Sequence, residues 1–133
     1  FKVSLKESPE IWRKIEIESS QTLHHLHKAI FKAYERYDEH LYAFFLSNKP
    51  WDSSSAYSLP HPESHVKNAK RARIDSLGLR VKKKFLYLFD FGDEWWHLIQ
   101  LLDIKEGESE SKYPRIVGGQ GKSPPQYLDE EEK

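Results

Sequence analysis

Asp90, Asp93 and His97, in the stretch FDFGDEWWHLI, are the residues of this chain best suited to chemistry by type and spacing. Carboxylates beside an imidazole can hold a divalent cation or move a proton as an acid–base pair. His27 on a helix and His40 ahead of the following strand are the residues that could join them. His24 and His27 stand three apart and so share a helix face. No HExxH or comparable ligand spacing occurs. No metal-ligand set is therefore assigned and no cofactor is expected, with a divalent metal as the alternative occupant.

The structural alternative is simpler. In DFGD, Gly92 can adopt a positive φ, and the flanking aspartates can accept hydrogen bonds from neighbouring backbone N–H groups, which is turn chemistry. A kinase-type metal-binding aspartate is excluded, because the chain has no glycine-rich loop or HRD-like element and is far too short. The balance favours aspartates that pin a turn between two core strands. Elsewhere, DSSSAYS offers hydroxyls without a nucleophile elbow. GGQGKSPP lacks phosphate-loop spacing and puts Pro124 where a helix should start.

The elements that must position these residues read clearly. FKVSLK alternates with Phe1, Val3 and Leu5 on one face, ESPE turns, and IWRKIEIE alternates again, which makes a hairpin. From Thr22, Leu23, Leu26, Ile30, Ala33 and Tyr37 recur at helical spacing, predicting a helix over 22–36. HLYAFFLS follows as a strand. Residues 48–74 read as a loop or lid excursion with a short strand near Ala56–Leu59, and a helical turn near Asp75–Leu77 closes at Gly78. KFLYLFDF and EWWHLIQLLDI form a hairpin about Gly92 and Asp93. The segment 106–133 reads as irregular. The expectation is one α+β domain over 1–133: a β-hairpin, a main α-helix, then further strands in one mixed sheet, β-grasp-like.

Composition narrows the class. The 133 residues carry 21 basic and 21 acidic side chains, so no global field draws the chain to nucleic acid. The absence of cysteine excludes disulfides and thiolate chemistry and suits a cytoplasmic setting. No run reaches the roughly 18 apolar residues of a membrane span. The chain begins at Phe1 and contains no Met, so an initiator is expected outside it. Locally, Lys67, Lys70, Arg71, Arg73, Arg80, Lys82, Lys83 and Lys84 face a single acid, Asp75, between 67 and 84. That stretch could contact phosphates, although no aromatic residue interleaves it.

Four segments together, PEIWRKIEI, TLHHLHKAIFKAYERYDEHLYAF, FLYLFDFGDEWWHLI and YPRIVGGQGKSPP, resemble the Ri-plasmid open-reading-frame-three family, also catalogued as a transposon-passenger family. The resemblance runs from Val3 to Pro125. Its Asp-Phe-Gly-Asp-x-Trp-x-His signature is met by Asp90, Phe91, Gly92, Asp93, Trp95 and His97. Its Trp-Arg is met by Trp12 and Arg13, its Leu-His by Leu26 and His27, and its His-Leu-x-x-Phe by His40, Leu41 and Phe44. The family's cysteine-flanked Pro-Pro run is represented only by Pro124 and Pro125, without the cysteines or the acidic pair. The resemblance implies an α+β fold and no assigned activity; the plasmid and transposon labels describe genetic neighbourhood.

The candidate polar set is thus Asp90, Asp93, His97, His27, His40 and Arg13. The candidate nucleic-acid contacts are Lys67, Lys70, Arg71, Arg73, Lys82, Lys83 and Lys84. The leading expectation is an accessory or interaction module of unknown activity, with a protein partner or nucleic acid and no membrane. The alternatives are a small enzyme or ligand- and metal-binding domain built on the Asp/His cluster, and a nucleic-acid-binding module built on 67–84.

Overall fold

The computed structural model describes residues 1–60, 66–107 and 112–127. Strands β1 (Lys2–Leu5) and β2 (Trp12–Glu16) form the expected hairpin, and helix α1 (Leu23–Ala33) follows. Then come β3 (Tyr42–Phe45), β4 (Ala56–Ser58), β5 (Lys67–Asn68), β6 (Lys84–Phe89), β7 (Trp95–Gln100) and β8 (Arg115–Gln120). The eight strands make one sheet in the order β5-β4-β3-β6-β7-β1-β2-β8. It is mixed, with β4 and β5 parallel and every other pairing antiparallel. The fold is α+β, mostly sheet.

Strand periodicity sorts the core into two layers. Phe85, Tyr87 and Phe89 of β6 face α1 together with Val3, Leu5, Ile15, Tyr42, Phe44 and Ile99; Leu23, Leu26, Ile30 and Ala33 supply the helix side. Leu86 and Leu88 point to the opposite face, where Ala43, Phe45 and Ala56 join them and Trp96 and Leu98 pack alongside. Phe1, Val3 and Leu5 share the buried face as their alternation required.

The helix is shorter than the 22–36 that spacing suggested. Thr22 caps it, accepting from His25 N–H at 3.4 Å, while the His25 ring returns Nδ1 to the Thr22 N–H at 3.0 Å. At the other end Glu35 turns left-handed at φ 56, so Arg36 leaves the helical path. The tight Gly92–Asp93 turn is corrected too. Five residues, 90–94, separate the strands, and the positive φ falls on Asp90 (65) and Glu94 (53) rather than on Gly92. Aspartate tolerates that conformation because its carboxylate can satisfy local N–H groups. The excursion 48–74 contains a 3-10 turn at Ser53–Ser55 besides β4 and β5.

The segment 106–133 is not wholly irregular, since β8 pairs with β2 along Trp12↔Gln120 to Glu16↔Arg115. Two consecutive glycines hid this strand from a pattern that depends on side chains. Gly119 is there because Arg13 lies against it: an added Cβ would stand 2.9 Å from Arg13 Cδ and 3.1 Å from the Trp12 carbonyl. Gly118 meets nothing nearer than Lys14 Cβ at 3.7 Å. Gly119→Ala should therefore cost about 1–3 kcal/mol, with Gly118→Ala within about 0.5 kcal/mol of the parent. Urea denaturation of both variants checks this, and equal stabilities would contradict the close approach.

Candidate functional site

Helix α1 packs on the sheet so that its histidines meet the tyrosines of β3 and β6. His27 is buried on α1, and its two ring nitrogens have different partners. Nδ1 lies 2.6 Å from the Tyr87 hydroxyl and Nε2 2.9 Å from Glu39 Oε1. The neutral ring satisfies both: Tyr87 O–H donates to Nδ1, and Nε2–H donates to Glu39. Tyr42 stacks on the imidazole at 3.8 Å with 9° between planes, and the Tyr42 hydroxyl reaches His24 Nδ1 at 2.7 Å. Burial outweighs the Glu39 carboxylate and brings His27 from its ordinary 6.5 down to about 4.

His97, on β7, faces the same interior and is fully buried. Nδ1 donates to the Tyr87 carbonyl at 3.1 Å, across the β6–β7 pairing of Tyr87 with His97. Nε2 accepts from Arg36 Nη2 at 2.9 Å. Burial, reinforced by the Arg36 charge, pushes this imidazole well below its ordinary value. It is neutral, with its proton on Nδ1, because a cation occupies the Nε2 side.

Asp90 does the pinning. Oδ1 accepts from Gly92 N–H at 3.0 Å and Asp93 N–H at 3.3 Å, and its carbonyl accepts from Glu94 N–H at 2.7 Å. Its Oδ2 lies 3.6 Å from His40 Nε2, which is engaged with the Tyr127 hydroxyl at 2.7 Å. That hydroxyl donates to Asp38 Oδ2 at 2.9 Å. Asp93 itself is exposed on the loop. Arg13 stands apart from the histidines, behind Tyr34. Its Nε donates to the Ala33 carbonyl at the end of α1, Nη1 to Trp12 and Gln120 carbonyls, and Nη2 to the Gly121 carbonyl and Ser123 Oγ. It is a clamp between helix end and β8, where a cation also complements the helix dipole.

His27, His97, His40 and Asp90 thus lie around Tyr87 and Phe89, while Asp93 is exposed on the loop beside Asp90 and Arg13 lies elsewhere. The alternative of one pocket built from all five Asp/His candidates is not what these side chains make, because the ring nitrogens of His27 and His97 are consumed inside the helix–sheet interface. Among the described residues no group of three or more His, Asp or Glu is arranged to hold a metal.

The basic stretch is exposed, yet its charges are dispersed. Arg73 is held by Asp75 through two hydrogen bonds of 3.1 and 2.7 Å. Lys67 lies over the Tyr57 ring at 5.3 Å on the helix side, whereas Lys84 takes the parity of Leu86 on the other face. Lys70 and Arg71 sit at the turn beside the start of α1, whose His24 N–H bonds to the Ala69 carbonyl, and Lys82 and Lys83 precede β6.

Sequence reasoning missed Tyr87, Arg36, Glu39 and the strap over 123–127. In that strap Gln126 accepts from Tyr37 and Asp38 N–H groups at 2.9 and 3.1 Å. A signal existed for Tyr87, since a tyrosine among Phe and Leu in a buried strand needs a partner for its hydroxyl. Arg36 carried none, because a basic residue after a helix reads as solvated.

The profile of the plasmid pRiA4b ORF-3-like family matches residues 1–131. The chain belongs to the plasmid pRiA4b ORF-3-like family. Among solved structures it is similar to a protein of unknown function, MM3350 from Methanosarcina mazei Go1. The TM-score is 0.79 at 26% identity, covering 94% of this chain and 70% of that one. No curated protein matches. For this member of the ORF-3-like family, the signature Asp90 and His97 are braces, one of the turn and one of the core. Among the described residues, no helix is long and apolar enough to cross a membrane.

A buried neutral His27 makes stability depend on pH. The unfolded ring takes a proton near its ordinary 6.5 and the folded ring only near 4, so its contribution is complete above 6.5. It is lost as pH falls from there toward 4, amounting to roughly 3 kcal/mol. His27→Gln removes the titration and should shrink the stability lost between pH 7 and pH 4 by about that amount in urea unfolding. Parallel losses in both proteins would show that His27 does not carry the acid sensitivity.

Proposed function

We propose that the chain is an accessory interaction module that binds a protein partner through the sheet face opposite α1. The observation that carries this reading is Trp51. It is 53% exposed, although its backbone is held left-handed at φ 61 and its ring packs edge-to-face on three others. Phe45, Phe91 and Trp96 lie at 6.0, 5.6 and 5.6 Å from it. A bulky side chain in that backbone region is an outlier, and keeping it half in water opposes the hydrophobic effect. Exposed Phe91 extends the patch, and Trp is the residue type most enriched at interface hot spots. The charged neighbours along the chain are of both signs, Lys49 with Asp93 and Glu94, which suits a protein surface better than a phosphate backbone.

The sealed imidazoles of His27 and His97 support a binding role over the enzyme alternative, and the dispersed cations of 67–84 give less support to nucleic acid. A cytoplasmic location is proposed with this reading, supported by the cysteine-free composition. The β-grasp-like reading of the fold rests on the β1–β2 hairpin and the helix that follows it across the sheet.

Affinity capture from host lysate with and without nuclease treatment, with wild type and the Trp51→Ala/Phe91→Ser double variant side by side, tests the proposal. Proteins retained by wild type should fall at least tenfold on the variant, with the far-UV spectrum unchanged. Identical retention removes the patch as the binding surface, and retention abolished by nuclease alone favours nucleic acid.

A further inference from the structure

The surroundings of Arg36 do not account for it. It is 8% exposed, and among the described residues no carboxylate pairs with it. Arginine is almost never buried without a partner, because stripping its water is costly. Its guanidinium carbon lies 5.1 Å from the Tyr34 ring centre, 4.9 Å from that of Phe89 and 5.5 Å from that of Trp95. Those ring faces attract the charge. They do not accept the in-plane N–H bonds of the fork. Nη2 is used by His97, and Nη1 is buried with no acceptor. The indole Nε1 of Trp95 is in the same condition, buried and unpaired. These two are the buried side-chain polar atoms left without a partner among the described residues, and they belong to neighbouring groups.

Both orphans are donors, and that decides the kind of occupant. A water accepting from the two would bring its own two hydrogens into an aromatic corner and move the deficit rather than remove it. An anion accepts without donating and supplies the missing negative charge. Two N–H donors and a single positive charge match the two oxygens and single charge of a carboxylate, whereas a phosphate would bring more charge than the corner neutralises. The nitrogens are sealed from solvent, so the species must be small.

We propose that the Arg36–Trp95 corner is a binding site for a small free carboxylate, held by Arg36 Nη1 and Trp95 Nε1. The binding-face reading above is independent of this site. The surrounding polar groups are engaged elsewhere and do not serve the two orphaned donors: His97 Nε2 accepts from Arg36 Nη2, Tyr34 donates its hydroxyl to the Val3 carbonyl at 2.8 Å, and Tyr87 is turned to His27.

The test uses the 133-residue chain at pH 7, titrated with sodium formate or acetate against sodium chloride at constant ionic strength. Tryptophan fluorescence and Tm are the readouts. Both should respond saturably to the carboxylates and stay flat in chloride. Trp95→Phe keeps a ring and deletes the unpaired donor. In chloride it should be at least as stable as wild type, since the orphaned N–H is gone. In carboxylate its apparent affinity should fall about tenfold, the loss of one charge-assisted hydrogen bond. Arg36→Lys, which keeps the charge but not the fork, should weaken binding similarly. The site is overturned if carboxylate and chloride act alike on wild type, the outcome a water-filled corner gives. It is also overturned if Trp95→Phe and Arg36→Lys both respond as wild type does.

Discussion

Tyr87 holds the two layers of this protein together. Its hydroxyl donates to His27 on the helix and its carbonyl accepts from His97 on the neighbouring strand, so one residue of the central strand fixes an imidazole on either side. A polar group in an apolar interior is costly unless every bonding position is met. The helix can therefore seat on the sheet in one register, the one that brings His27 over Tyr87 and lets Tyr42 stack on the imidazole. Apolar contacts alone among Leu26, Ile30, Phe85 and Phe89 would tolerate small slides. The histidine–tyrosine bonds do not.

From that junction the polar links spread to the end of α1. His97 receives a hydrogen bond from Arg36, which leaves the helix after the left-handed Glu35, and Arg13 caps the Ala33 carbonyl from the far side of Tyr34. The Tyr34 ring lies between two guanidinium carbons, each 5.1 Å from its centre. The hydrogen bonds of Arg13 to Gly121 and Ser123, and those of Gln126 and Tyr127 to Asp38, bring the C-terminal strap against the same pole. Charged and hydroxylated residues thus concentrate at one end of the helix, and the other sheet face is left to Phe45, Leu86, Leu88, Trp96 and the projecting Trp51.

The two faces have separate consequences. The helix face is closed around neutral imidazoles and an arginine that has no counter-charge among the described residues, a setting shaped by desolvation. The opposite face presents aromatic area to water from a constrained backbone. Chemistry at the family signature would require the first to open, whereas recognition requires nothing of the second except a partner.

Much of this was legible in the chain. Alternation marked β1, β2, β6 and β7, helical spacing marked α1, and the reading of DFGD as a turn held by aspartate matches Asp90 binding the N–H groups of Gly92 and Asp93. These features depend on near neighbours, whose side chains and backbone interact at fixed offsets. What only the tertiary structure decided involves residues far apart in sequence. The pairing of β8 with β2 was invisible because Gly118 and Gly119 have no side chains to show a pattern, and the need for Gly119 arises from Arg13, far away in the sequence. The protonation of His27 and His97 follows from burial and from Glu39 and Arg36, which no spacing rule connects to them. Arg36 reads as solvent-facing at its place after the helix and becomes a buried cation because one left-handed residue, Glu35, turns the chain inward.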